Sequence, residues 1–199
     1  MFDVKLRRMV DPAVSRIAIK LAKYGIGANT LTMFGALTGL GAALAISQTS
    51  YQIAIILIIS NRVIDGLDGA VARINGATAF GGFLDSLADY LFYISVPVAF
   101  GVSAATNQMA ALLLVAAFTL TAVSFLAFAA ISARQAGDGA HGPKAFIYST
   151  GLMEGGETIA FFIAFCLFPG YFIPLALVFA GLCLLTVGQR IVLAAKTFG

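Results

Sequence analysis

Residues 61–90 read NRVIDGLDGAVARINGATAFGGFLDSLADY, and this stretch decides the fold. It holds four of the chain's seven aspartates, Asp65, Asp68, Asp85 and Asp89, between strongly apolar flanks. Asp65 and Asp68 are three residues apart, Asp85 and Asp89 four, so on helices each pair shares one face. A short turn around residues 75–78 would make the two helices antiparallel neighbours, with both pairs near one end of a hairpin. An aspartate facing lipid costs about 2.5–3.5 kcal/mol near mid-span. Four bunched anions also repel one another, and a divalent cation removes both penalties. Oxygen donors without nearby His or Cys point to Mg²⁺ or Mn²⁺. Four carboxylates on two facing helices can bridge two ions, the arrangement that clamps both sides of a phosphoryl displacement. Ordinary polar residues at a helix end would explain one or two aspartates, not four at these spacings. Gly66, Gly69, Gly81 and Gly82 carry no side chains beside them, so a bulky ligand can approach the backbone. Taken singly, each glycine would also suit close helix packing in a membrane. Arg73, eight residues after Asp65, can reach a phosphate near the metals.

The rest of the chain sets this stretch in a membrane. Of 199 residues, 60% are hydrophobic and 11% charged, too few polar groups to cover a soluble domain. The expected fold class is an all-α integral membrane protein with six transmembrane helices. Its spans fall at roughly 30–46, 51–73, 83–102, 109–133, 145–168 and 171–193, near the ~20 residues a bilayer needs. Residues 1–27 precede them as an amphipathic juxtamembrane segment, and 28–199 form the membrane domain. Asp11-Pro12 reads as a helix start. Val10, Val14, Ile17 and Leu21 fall on one face, Arg16, Lys20 and Lys23 on the other, and Gly25 and Gly27 end the helix. Such a helix suits the membrane interface. No secretory signal is expected, because no small-residue cleavage site follows a short apolar core. Cys166 and Cys183 read as reduced packing residues. The single histidine, His141, excludes a multi-histidine metal site and reads as a loop residue.

Orientation follows from Lys and Arg. The loops at 47–52, 103–108 and 169–170 contain neither. The N-terminal helix, the turn at Arg73, the loop with Arg134 and Lys144 and the end with Arg190 and Lys196 hold all the basic residues except Arg62. Both termini and the aspartate stretch are therefore expected on the cytoplasmic side of the cell (inner) membrane. Arg62, three residues before Asp65, balances charge on the same face.

The pattern Asp65-x2-Asp68-Gly69-x2-Ala72-Arg73, seven residues, then Gly81-x3-Asp85-x3-Asp89 resembles the signature of the CDP-alcohol phosphotransferases. Ala28-Asn29-Thr30-Leu31-Thr32 is similar to that family's Pro-Asn-x-Leu-Thr, with alanine in place of proline. The stretch from Lys144 to Ile159 resembles a bacterial branch related to phosphatidylglycerophosphate synthases. The resemblance implies an enzyme that breaks the pyrophosphate of a CDP-linked alcohol, releases CMP and joins the phosphoryl-bearing group to a second alcohol. By position, Asp65, Asp68, Asp85 and Asp89 would hold two Mg²⁺ or Mn²⁺ ions, and Asp89 would also take the acceptor's proton. Gly69, Arg73, Gly81, Asn29 and Thr32 would line the CDP site. The donor would be CDP-diacylglycerol and the acceptor a small polar alcohol, glycerol 3-phosphate first. The family also implies a homodimer and membrane lipids as surroundings; nucleic acid is not an expected partner.

An anionic acceptor needs cations. Lys144, Arg190 and Arg134 lie near the same membrane face, though positive-inside anchoring alone could explain them. Glu154 and Glu157 share a face on the fifth span and could accept hydrogen bonds from acceptor hydroxyls or pair internally. Three other readings stand beside this one: a CDP-linked polar alcohol with diacylglycerol as acceptor, a divalent-cation transporter, and a non-catalytic membrane scaffold.

Overall fold

A computed structural model describes residues 2–136 and 155–199, with side chains described from residue 12 through 135 in the first stretch. Lys144, Glu154 and His141 lie outside these residues, as does the start of the expected fifth span. Among the described residues, seven α-helices follow in order: α1 (Phe2–Lys23), α2 (Ala28–Ser47), α3 (Tyr51–Asn75), α4 (Ala79–Ser103), α5 (Gln108–Ala136), α6 (Gly155–Leu167) and α7 (Phe172–Phe198). Short 3₁₀ turns at Ala105–Asn107 and Pro169–Tyr171 join α4 to α5 and α6 to α7. No strand occurs among the described residues. Four stretches, Ala28–Ser47, Ala79–Ser103, Ala105–Gln135 and Pro169–Phe198, are long and apolar enough to cross a bilayer. The protein is thus an all-α membrane protein. The 25-residue α3 has the length of a span, and Arg62, Asp65, Asp68 and Arg73 dilute its apolar character.

Helix α1 departs from expectation at its start. It begins at Phe2 and runs through Pro12, so Asp11-Pro12 is not its start. It meets α3 through small side chains. Ala18 is fully buried against Ala70 and Val71 of α3, with Val14 and Leu21 beside it, while Ile17 is 47% exposed. The small side chains of Ala18 and Ala70 let the two backbones approach, a closeness Ile17 would prevent. The expected stop at Gly25 holds. Gly25 has φ 77°, and Ile26 N–H donates to the Leu21 carbonyl while Gly25 N–H donates to that of Ala22. This is the paired bonding of a Schellman end, which favours glycine at the left-handed position.

The turn between α3 and α4 is equally local. Gly76 takes φ 92°, and Thr78 caps α4 by accepting from Gly81 N–H at 3.0 Å. The cap starts α4 at Ala79, four residues earlier than the apolar run suggests. Helix α2 packs on both α3 and α4, and α5 on α4 and α7. At the core, phenylalanines interlock across helices. Phe100 stacks on Phe172 with centroids 4.5 Å apart, Phe118 meets Phe179 edge-on at 5.1 Å, and Phe92 meets Phe162 edge-on at 5.6 Å. Cys166 and Cys183 are free and buried in this core, as expected of packing residues.

Candidate active site at the junction of α2, α3 and α4

The hairpin of α3 and α4 brings the aspartates together as their spacing predicts. One carboxylate oxygen from each of Asp65, Asp68 and Asp85 lies within 4.8 Å of the others, a separation a shared cation can span. Their oxygens, with neither His nor Cys in the group, fit Mg²⁺ or Mn²⁺. Helix α2 closes the third side. Its Thr32 is buried and donates from Oγ1 to Asp68 Oδ2 at 2.9 Å, fixing that carboxylate from behind. A cavity of about 10 Å³ lies among Thr32, Asp65, Asp68, Asp85 and Asp89, with Gly35 in its wall. That space is on the scale of one water or ion.

The glycines divide by what surrounds them. A Cβ on Gly81 would come within 3.0 Å of both Asn29 Oδ1 and Thr78 Oγ1, so Gly81 is where the start of α2 meets the start of α4. Gly66 and Gly82 face open space. At Gly69 an added Cβ would only touch Arg73 Nη1, at 3.6 Å. Arg73 itself is exposed, as is Asn29. This end of the hairpin thus presents bare backbone, an exposed arginine and an exposed amide.

Asp89 stands outside the three-carboxylate group and is held by Arg62. Arg62 Nη2 donates to Asp89 Oδ1 at 2.9 Å, whereas Nη1 lies 3.5 Å from Asp65 Oδ2 and 3.4 Å from Tyr93 Oη. The guanidinium is fixed in turn. Its Nε and Nη2 donate to Asn61 Oδ1 at 2.9 and 2.7 Å, and its carbon lies 5.2 Å from the Phe92 ring centroid and 5.6 Å from that of Tyr93. Asn61 is buried and donates from Nδ2 to the Gly35 carbonyl of α2 at 2.8 Å. The aspartate offsets alone do not reveal this role of Asn61 and Tyr93. The available signal was an Asn-Arg pair inside an apolar run, where buried polar groups need partners.

The remaining candidates sit on other helices. Arg134 is exposed in the last turn of α5. Arg190 on α7 is buried; its Nη1 donates to the Thr121 carbonyl at 2.7 Å and to Ser124 Oγ at 3.1 Å, and the guanidinium stands over Phe125. It fastens α7 to α5. Glu157 sits in the first turn of α6, partly buried.

A helical membrane fold that gathers carboxylates on one antiparallel hairpin defines a class, and the sequence agrees: residues 26–195 match the CDP-alcohol phosphatidyltransferase family, to which the chain belongs. It is an enzyme of that class. Inner membrane protein YnjF of Escherichia coli (strain K12) is 40% identical over 193 residues, 96% of this chain and 94% of that protein. Archaetidylinositol phosphate synthase of Pyrococcus horikoshii is 39% identical over 93 residues, 46% of this chain and 50% of that enzyme. Among solved structures, phosphatidylinositol phosphate synthase PgsA1 of Mycobacterium tuberculosis, in complex with manganese and citrate, has the same fold, with TM-score 0.67 over 90% of this chain and 88% of that one at 22% identity. The same protein with CDP-DAG bound gives TM-score 0.65, at 22% identity over 89% of this chain and 91% of that one.

Proposed function

We propose that this protein transfers a phosphatidyl group from CDP-diacylglycerol to a small phosphorylated alcohol and releases CMP. The observation behind this reading is the split among the aspartates: three gather at ion-bridging distance, and the fourth is held apart by a cation. Asp65, Asp68 and Asp85 would hold two Mg²⁺ or Mn²⁺ ions, with Asp89 completing the second ion's shell. When bound, the ions neutralise the pyrophosphate and the departing CMP.

Asp89 serves as the base. It takes the proton of the acceptor hydroxyl as that oxygen bonds to the phosphatidyl phosphorus. The bond from that phosphorus to the bridging pyrophosphate oxygen breaks, and its electron pair leaves with CMP. Gly69, Gly81, Arg73, Asn29 and Thr32 surround the CDP moiety, Thr32 by holding Asp68. Lys144, Arg190 and Arg134 offer cations for the acceptor phosphate, and Glu154 and Glu157 offer acceptors for its hydroxyls.

Glycerol 3-phosphate fits this chemistry. The relatives named as inositol phosphate lipid synthases support inositol phosphate as the acceptor to test first. Six spans, with α3 and the segment ending in α6 as the second and fifth, would carry the site. They would lie in the inner membrane with both termini and the carboxylates at the cytoplasmic side, as the placement of Lys and Arg supports. Residues 1–27 would lie along the interface ahead of the membrane domain 28–199, consistent with a family match that begins at residue 26. The apolar face of α2, with Phe34, Leu37 and Leu44 each about 60% exposed, suits lipid or a second copy in a homodimer.

The test is CMP release from CDP-diacylglycerol by purified protein with Mn²⁺ or Mg²⁺, across inositol phosphate, glycerol 3-phosphate, inositol and serine. Acceptor-dependent release that is abolished in Asp89→Asn is the expected result. Silence with every acceptor, together with turnover of a CDP-linked polar alcohol on diacylglycerol, would reverse donor and acceptor. Replacing Lys144 and Arg190 with glutamine should raise KM for a phosphorylated acceptor.

A further inference from the structure

The family signature contains no residue before Asp65, yet the structure ties the far end of the carboxylate set to a residue there. Arg62 is the only cation within ion-pairing distance of the aspartates among the described residues, and it favours Asp89 at 2.9 Å over Asp65 at 3.5 Å. An arginine side chain has many rotamers, and fixing them costs about 2 kcal/mol of entropy. Here several groups share that restraint. Asn61 Oδ1 receives both Nε and Nη2, the Tyr93 hydroxyl lies near Nη1, and the Phe92 and Tyr93 rings flank the guanidinium. Asn61 is in turn locked to the α2 backbone through the Gly35 carbonyl. Glycine at 39 leaves room for this lock, because a Cβ there would stand 3.2 Å from Asn61 Nδ2 and 2.9 Å from Phe92 Cδ2. The result is a line of contacts running from the α2 main chain through Asn61 and Arg62 to a single oxygen of Asp89.

We propose that Arg62 is a positioning residue for the transfer step: anchored by Asn61, it holds Oδ1 of Asp89 and leaves Oδ2 as the oxygen that meets the acceptor hydroxyl. This inference rests on Asp89 being the base. Its energetic signature is specific. A bond that aims the base acts on the reacting step and leaves ground-state binding of the donor alone. A fixed fork also does what a flexible ammonium cannot, because lysine lacks the geometry to meet Asn61 and Asp89 together.

The experiment uses the full chain in lipid nanodiscs with CDP-diacylglycerol, Mn²⁺ and the acceptor that the wild type turns over. It compares wild type, Asp89→Asn, Arg62→Gln, Arg62→Lys and Asn61→Ala. Expected for Arg62→Gln is a kcat lower by about tenfold to a hundredfold, the worth of a charge-assisted hydrogen bond felt at the reacting step. KM for both substrates and the melting temperature stay near wild type. Arg62→Lys recovers part of the loss. Asn61→Ala keeps the cation but frees it, and lowers kcat several-fold with KM unchanged, which provides a second reading should Arg62→Gln fold poorly.

A wild-type kcat in Arg62→Gln, or a loss confined to KM, metal affinity or melting temperature in both Arg62→Gln and Asn61→Ala, overturns the assignment while Asp89 remains the base. Full turnover in Asp89→Asn overturns the base reading, and the Arg62 proposal falls with it.

Discussion

Thr32→Val tests the metal assignment at its support rather than at a ligand. Valine matches threonine in shape, so the change removes one hydroxyl and little volume. That hydroxyl donates to Asp68 Oδ2 at 2.9 Å, and Asp68 is only 6% exposed, so water cannot readily replace it. A hydrogen bond to a charged group is worth about 1.5–3 kcal/mol, or about tenfold to a hundredfold in a binding constant. Groups that orient metal ligands from behind have effects of about the same size. The Mn²⁺ concentration giving half-maximal CMP release should therefore rise at least tenfold in Thr32→Val. KM for the acceptor should stay fixed, and Thr32→Ser, which keeps the hydroxyl, should stay within about twofold of wild type. A Thr32→Val enzyme with wild-type Mn²⁺ dependence would refute the claim that Asp68 is a ligand oriented from α2.

Other expectations follow from packing. Gly39→Ala places a methyl 2.9 Å from Phe92 Cδ2 and should lower stability by about 1–3 kcal/mol, read as a fall in melting temperature in detergent. Gly66→Ala meets nothing within 4 Å, so it should leave stability unchanged or raise it by up to about 1 kcal/mol. If the nucleotide lies over that backbone, the same substitution raises KM for CDP-diacylglycerol several-fold, and unchanged KM would move the nucleotide elsewhere. Cys166 and Cys183, 4% and 1% exposed, should resist thiol reagents until the protein unfolds, as mass spectrometry of labelled protein would register.

Much of the site could be read from offsets alone. Asp65, Asp68 and Asp85 converge because helical periodicity and one short turn are both local properties, and spacing encodes local properties well. What escaped is the choice of partner across helices. The sequence places Arg62 on the face of Asp65, yet its shorter bond is to Asp89, 27 residues away. Arg190, a candidate for the acceptor on grounds of charge, also bonds to a main-chain carbonyl of α5, 69 residues distant. The apolar interval puts Ile17 on one face with Val14 and Leu21, but it does not say which residue meets α3 most closely. Ala18 takes that place because two helices meeting closely need a small side chain. The early start of α4 was legible in principle: Thr78 is a good N-cap, obscured by the glycines and alanines around it.

The side chains described at the carboxylate site, from Asn29 to Tyr93, lie on three consecutive helices, α2, α3 and α4. This arrangement has a consequence for biogenesis. Chains are made from the N-terminus, and contacts close in sequence form before distant ones. Once Ser103 has left the ribosome, every group in the Gly35–Asn61–Arg62–Asp89 line and every carboxylate of the cluster has emerged, while α5, α6 and α7 have not. The charged hairpin, the segment least suited to lipid, can thus form its Thr32–Asp68 and Asn61–Gly35 bonds with α2 as it enters the membrane. The phenylalanine-rich helices emerge after it.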